Sequence, residues 1–391
     1  MRINEIRELA VPLSGNVANA LVDFSAHTVS LVAVVSDVIR NGTPVTGVAF
    51  NSIGRFAQSG ILGDRMIPRV LAAAPDTLVD EAGRLDPARI LACLLRDEKP
   101  GGHGDRAAAA AAVELACWDL LAKLDDEPAY RTIARHVDHR PADAAVPVYA
   151  AGGYYYPGDH GDHVAALRAE LTGYLRLGYD AVKIKIGGAS EDTDLARLDA
   201  AVDVLGDGTR VAVDANGRFD RDTALNWAQR LGPYRLRWFE EPGDPLDFDV
   251  TAALAATYPG PVATGENLFS AADVVNLMRY GGMRADVDIV QMDAGLSYGL
   301  TEYLRMLRII EEHGHHRRQA FPHGGHLINL HIAMGLGLGG CESYPGVFAP
   351  FGGYSPGCVL ADGMIRPSDA PGFGLEEKPE LRDWLRRLMG D

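Results

Sequence analysis

From Pro147 onward one unit repeats along the chain. Short apolar, β-branched runs recur at 147–153 (PVYAAGG), 181–187 (AVKIKIG), 210–217 (RVAVDANG), 236–242 (LRWFEEP), 261–267 (PVATGEN), 288–293 (DIVQMD) and 318–323 (RQAFPH), with a weaker eighth at 341–344 (CESY). They return every 23 to 34 residues, and helical patterns such as DTALNWAQRL and AADVVNLMRY fill the gaps. Seven or eight strand-plus-helix units confine this part of the chain to a parallel α/β architecture, either a closed barrel or a large doubly wound sheet. The residues at the strand ends discriminate between the two.

Before about residue 140 the pattern is irregular: an opening strand, a polar loop over 14–28, an apolar run over 31–39, a Gly-rich turn region and then helices. The clearest helix is Arg106–Leu124, where alanines favour the helix and Leu115, Trp118, Leu121 and Leu124 fall near one face. This part reads as α+β, and 391 residues suit one large domain plus a smaller one. With 53 acidic against 37 basic residues the net charge is −16, and no basic patch opposes that field, so the expected partner is a small molecule and not a nucleic acid. No uncharged apolar stretch reaches the length of a membrane span; even LVAVVSDVI (31–39) is broken by Asp37. The start, MRINEIRELAVPL, mixes charged and apolar residues and reads as neither a signal nor a transit peptide. Cys93, Cys117, Cys341 and Cys358 show no CxxC spacing, which suits reduced thiols in a cytoplasmic protein.

Three runs end in a carboxylate at matching places, Asp214, Glu240 and Glu266, each 26 residues from the next. In a barrel the C-terminal strand ends converge on one mouth, so acids in phase with the repeat share one volume. Three carboxylates that close repel one another unless a cation lies between them, and hard oxygen donors without His or Cys favour Mg²⁺. The alternative is that each acid merely caps the following helix. Lys183 and Lys185, two apart on a strand covered on both faces, point the same way and belong at the mouth. Beside a cation and beside each other, one ammonium gives up its proton more readily and becomes a usable base. Strands six and seven end in Asp293 and His323; a carboxylate beside an imidazole prepares it to donate a proton. His326 is the competing imidazole but lies further into the following loop or helix.

Lys-x-Lys on the second barrel strand, Asp, Glu and Glu ending the third to fifth, Asp on the sixth and His on the seventh resemble the enolase superfamily, mandelate racemase subgroup. The resemblance runs essentially end to end and includes VELACWDLLAKLDDEPAY (113–130). It implies a TIM-type (β/α)7β barrel over 145–360, an α+β capping domain over 1–140 with lid loops near 14–28 and 49–62, and a segment 361–391 that returns to the cap through the helical LRDWLRRLM. It also implies an Mg²⁺-dependent hydro-lyase of a small carboxylate, with Asp214, Glu240 and Glu266 as metal ligands. Lys185 would be the base that takes the proton α to the carboxylate, and Lys183 would favour its neutral form and bind that carboxylate. His323, held by Asp293, would protonate the departing β-hydroxyl to leave a 2-keto acid. EKPGGHGDR (98–106), YAAGGYYYPG (149–158), PHGGH (322–326) and GLGLGGCESYP (335–345) are similar to the tartrate dehydratases, which implies D-tartrate going to oxaloacetate. Leu21 and Ile53 depart from that pattern, which has a tyrosine and an asparagine there.

Lys99 is the candidate cation for a second anionic end, with Asn19, Asn51, Tyr156 and Asn216 as further substrate-binding candidates and Arg55 and His103 behind them. A racemase or epimerase in which Lys185 and His323 exchange the α-proton from opposite faces is the competing outcome, and a barrel with a structural metal the competing class. By analogy the protein is a symmetric homo-oligomer. GLGLGG (335–340) imitates a dinucleotide loop but does not open a first βαβ unit, and HGHHRR (313–318) follows a helix end, where basic caps are common.

Overall fold

The computed structural model describes residues 1–137, 142–156 and 162–390. The chain opens with an antiparallel sheet, β1 (Ile3–Pro12), β2 (Thr28–Arg40) and β3 (Thr43–Phe50), in that order. Asn41 and Gly42 join β2 to β3 with φ of 51° and 83°, the two-residue turn whose twist matches that of the strands. Helix Asp105–Leu124 lies across β2 and β3.

That helix departs from the one-sided pattern its sequence suggested, since every residue from Ala107 to Ala122 is buried. Its alanines let it approach the sheet so closely that a Cβ on Gly47 of β3 would sit 2.0 Å from the Ala116 carbonyl oxygen. A second buried contact faces the barrel. Glu114 accepts hydrogen bonds from the backbone N–H of Leu300 and of Thr301 (both 2.9 Å), from the Thr301 hydroxyl (2.5 Å) and from the Trp118 indole (3.0 Å). These bonds fasten the cap to the first turn of helix Leu300–Glu312.

The repeating part closes into a barrel. β4 (Val146–Gly152), β5 (Val182–Lys185), β6 (Val211–Asp214), β7 (Phe239–Glu240), β8 (Val262–Thr264) and β9 (Ile289–Val290) pair in parallel in chain order. β10 (Cys341–Ser343) pairs in parallel with β4, and just before it the Gly339 N–H donates to Ala320 O (3.0 Å), so the eighth segment joins the seventh to the first and the ring closes. The seventh position, expected over 318–323, shrinks to one parallel bridge between Val290 and Ala320, because Pro322 has no N–H with which to continue the ladder.

Alternation along the strands sets the interior. Tyr149, Ala181, Ala212, Trp238, Ala263 and Phe321 form a separate buried cluster, the barrel floor. Two residues further on, the same face of those segments carries Lys183, Asp214, Glu240 and His323. β8 differs: Gly265, at φ 140° and so close to the next segment that a Cβ would lie 2.8 Å from the Gln291 nitrogen, turns the chain and brings Glu266 to the mouth.

A hairpin of β11 (Val359–Ala361) and β12 (Met364–Arg366) extends the sheet beyond β4. Helix Arg382–Met389 then reaches β1 and β2, where the Arg7 guanidinium donates to the carbonyls of Leu388 and Met389. No described helix is long and apolar enough to cross a membrane. Because Glu114 is the buried acceptor for two helix N-terminal N–H groups, Glu114→Ala should lower the unfolding free energy by about 2–4 kcal/mol. Urea titration against the unaltered protein measures it, and an unchanged midpoint would show that the contact does not hold the cap.

Candidate active site

The helices that follow β6, β7 and β8 are capped by Asp220, Asp247 and Ser270, whose side chains accept from the N–H of Thr223, Val250 and Asp273. Asp214, Glu240 and Glu266 are thereby free of the capping role, and one oxygen from each lies within 4.8 Å of the others. Glu240 receives the Trp238 indole N–H (2.8 Å) and the Gln291 amide (2.7 Å). Asp214 receives the Asn216 backbone N–H (2.8 Å) and side-chain amide (3.2 Å). Burial and the neighbouring Asp214 push Glu240 up to about 8, whereas Asp214, although buried, is held below the usual carboxylate range by Lys185 and Lys183. Converging hard oxygen donors with no His or Cys among them fit Mg²⁺, which would relieve the mutual repulsion of the acids.

The lysines of β5 lie against these acids. Lys183 Nζ is 2.5 Å from Glu240 Oε1, 2.7 Å from Glu342 Oε1 and 3.5 Å from Asp214 Oδ2. Burial alone would lower its pKa, but the charges of Glu240 and Glu342 hold it well above the ordinary lysine value, so Lys183 is a fixed positive charge. Lys185 Nζ is 2.5 Å from Asp214 Oδ2 and 5.1 Å from the centre of the Tyr154 ring.

Across the mouth, His323 Nδ1 is 3.0 Å from Asp293 Oδ2, and the other Asp293 oxygen accepts from the Gly295 N–H (2.7 Å) and the Asn329 amide (3.0 Å). His323 Nε2 is 3.0 Å from the Tyr344 hydroxyl and 3.6 Å from Glu266 Oε2. Burial alone would lower the His323 pKa; Glu266, the Asp293 hydrogen bond and Glu342 outweigh it and lift the ring to about 10. His326 caps helix Leu327–Leu336, lies 2.9 Å from Ser52 Oγ through Nε2, and is pushed down by burial to about 4. Its ring nitrogens are thus engaged by the helix cap and by Ser52.

Above the acids a cleft of about 250 Å³ separates the lid residues Asn19, Leu21 and Arg55 from Asn216, Glu266 and Asn267. Three residues singled out from the sequence take other places. Asn51 is buried, with its Oδ1 accepting the Ser30 N–H (2.7 Å) and its amide reaching the carbonyls of Arg55 and Phe56, so it shapes the lid loop. Tyr156 has Glu170 and Arg197 as its charged neighbours, and Tyr154 is the tyrosine that covers Lys185. Lys99 is exposed outside the cleft, in a loop whose carbonyls are held by Arg106. Arg55 is the cation that lines the cleft; its guanidinium donates to Asn267 Oδ1 (3.0 Å) and stacks 4.9 Å from the Phe269 ring centre. Of the two departures, Leu21 lines the cleft and Ile53 is buried.

Glu342 and Tyr344 were not singled out from the sequence. They occupy alternate positions of CESY, as the two lysines do in KIK, and that spacing was the available signal.

Residues 166–381, more than half of the chain, match the family model described as enolase C-terminal domain-like. The chain belongs to the enolase superfamily. It is 27% identical over 358 residues to L-talarate/galactarate dehydratase of Salmonella typhimurium, covering 91% of this chain and 83% of that protein. Arabinonate dehydratase of Saccharolobus solfataricus is 29% identical over 238 residues, spanning 60% of each chain. The crystal structure of a mandelate racemase/muconate lactonizing enzyme from Polaromonas sp. JS666 superposes with a TM-score of 0.77 at 23% identity, over 98% of this chain and 96% of that one, and shares the fold of a capped α/β barrel.

Mg²⁺ should raise the melting temperature of this superfamily member, and EDTA should reverse the rise. Glu266→Gln should weaken Mg²⁺ binding in calorimetry by at least about tenfold. A full-affinity Glu266→Gln protein would remove that residue from the ligand set.

Proposed function

We propose that this chain is an Mg²⁺-dependent acid-sugar dehydratase, a hydro-lyase that forms a 2-keto acid. The observation that carries the reading is the placement of two proton-handling groups on either side of the acid cluster: Lys185 against Asp214 from the second strand and His323 beside Glu266 from the seventh. Asp214, Glu240 and Glu266 would hold Mg²⁺, which when bound supplies electrostatic stabilisation of a substrate carboxylate as negative charge grows on it. Lys183 pairs with that carboxylate. Lys185 takes the proton from Cα, the freed electron pair forms the Cα=Cβ bond, and the Cβ–O bond breaks. His323, whose ring the neighbouring Glu266 and Asp293 hold above the ordinary histidine range, would give the Nε2 proton to the leaving hydroxyl, which departs as water. The enol then becomes the keto acid.

The dehydratases among the relatives support the acid-sugar class. Two features of the cleft support it as well. Asn216 Oδ1 is buried without a partner among the described residues, an acceptor suited to a substrate hydroxyl. Arg55 is suited to a second carboxylate, which makes a diacid the preferred form and D-tartrate, giving oxaloacetate, the first compound to test.

Tartrate isomers and five- and six-carbon acid sugars, incubated with and without EDTA, should show Mg²⁺-dependent 2-keto acid formation from at least one of them. Lys185→Ala should lower that rate by about 10²–10⁴-fold. Arg55→Ala should raise KM for a diacid more than for the matching monoacid. In D₂O, deuterated and inverted substrate without keto acid would identify a racemase or epimerase instead.

A further inference from the structure

The segment just past β4 meets two parts of the mouth through one residue. The backbone of Tyr155 pairs in both directions with Ala18 of the lid loop, Ala18 N–H to Tyr155 O (2.7 Å) and Tyr155 N–H to Ala18 O (2.8 Å). Ala18 begins the tip of that loop, where Asn19 N–H donates to Val22 O (3.0 Å) and where Asn19, Leu21 and Val22 line the cleft. Two other ties of the loop, Ser14 N–H to Ala349 O and the Phe24 ring on Phe348, lead instead to the chain after β10. The side chain of Tyr155 reaches the base strand. Its hydroxyl donates to Asp194 Oδ1 (2.8 Å) and accepts from the N–H of Gly188 (3.0 Å), three residues past Lys185.

That hydroxyl has a firm anchorage. Asp194 and Arg197 stand on helix Glu191–Leu205, which follows β5, and both are buried. The second Asp194 oxygen accepts from the Gly187 N–H (2.7 Å). The Arg197 guanidinium donates to Asp194 Oδ1 (3.0 Å), to Lys185 O (2.8 Å) and to Gly153 O (2.5 Å), and lies 4.5 Å from the centre of the Tyr155 ring. A buried ion pair whose bonds all go to nearby backbone and to one phenol is costly to distort, because any group it lets go is left without water. It therefore holds the backbone of Lys185 on one side and the approach to Tyr155 on the other.

We propose that Tyr155 is a positioning residue that couples the lid to the strand of Lys185. Its backbone carries the lid tip and its hydroxyl carries the turn after Lys185, so the two keep one relative placement. The catalytic half of this inference rests on the dehydratase reading, in which Lys185 takes the α-proton; the mechanical half rests on the hydrogen bonds alone. A substrate held by the wall of Asn19 and Leu21 must present its α-carbon to an amine on another element, and a misplacement of about 1 Å between wall and amine is enough to slow the transfer. A residue shared by wall and amine alters binding and turnover together when it is changed, whereas a residue serving one of them alters one.

Tyr155→Phe keeps the ring beside Arg197 and removes both hydroxyl bonds, and thermal melting checks that the fold is retained. Amide hydrogen exchange read by mass spectrometry, with no substrate present, should rise by at least about fivefold in both 14–28 and 182–190, although no lid residue has been changed. A rise confined to 182–190, or no rise, would overturn the coupling. With an acid that the unaltered enzyme dehydrates, kcat should fall and KM should rise, each by about fivefold or more. A change in only one of the two would overturn the catalytic half. Asp194→Asn, which weakens the acceptor of the phenol and leaves the tyrosine in place, gives the same test should Tyr155→Phe not fold. If the unaltered protein converts none of the acids, the dehydratase reading fails, and the exchange measurement still decides whether Tyr155 joins lid and strand.

Discussion

Buried negative charge is the constraint around which this barrel mouth is arranged. Asp214, Glu240 and Glu342 are each at most 1% exposed, with Glu266 beside them, in a space whose floor is the apolar layer of Tyr149, Trp238 and Phe321. Carboxylates so placed must lose their charge or find cations, because the interior offers little water. Facing them are Lys183, Lys185 and His323, each with a nitrogen within 3.6 Å of an acid. The same arrangement explains why the groups are interdependent. Taking away one partner leaves another charge buried and unpaired, so these side chains act as a set and single substitutions will not add.

The central part of this set was legible in the sequence, for a physical reason. Parallel barrel strands repeat at nearly equal spacing and expose their ends on one side, so function written at the strand ends inherits the period of the fold. Asp214, Glu240 and Glu266 could be read because the capping residues Asp220, Asp247 and Ser270 are separate from them. Legibility failed where the backbone departs from the strand pattern. β4 stops at Gly152, so alternation does not say which of three consecutive tyrosines faces inward, and it is Tyr154, not Tyr156, whose ring lies over Lys185. β10 has only three residues, too few for a period to show, and Glu342 and Tyr344 were hidden by that brevity.

The cap was harder to read because its polar residues serve two ends. Asn51 and Arg55 sit four positions apart in one loop; one spends its amide on the loop's own carbonyls and the other turns its guanidinium toward the cleft. Composition does not separate these fates. Only the tertiary contacts do, since a side chain that satisfies nearby backbone groups has nothing left for a ligand.

How cap and barrel are joined follows from the same accounting. The lid loop forms a two-bond bridge to the segment after β4, with Ala18 N–H donating to Tyr155 O (2.7 Å) and Tyr155 N–H to Ala18 O (2.8 Å). The second lid loop is tied by Ser52 N–H to Gly295 O (3.2 Å), two residues past Asp293, and by Ser52 Oγ to His326. Each tie ends within a few residues of a group proposed for proton transfer, and Ser52 also hydrogen-bonds the Asp293 carboxylate. The lid therefore reaches His323 by two routes, through Ser52 to Asp293 and along the packed rings of Phe24, Phe348 and Tyr344. Aromatic edges transmit position and no charge, so the ring line bears on where His323 sits, while its electrostatics are set by Asp293 and Glu266.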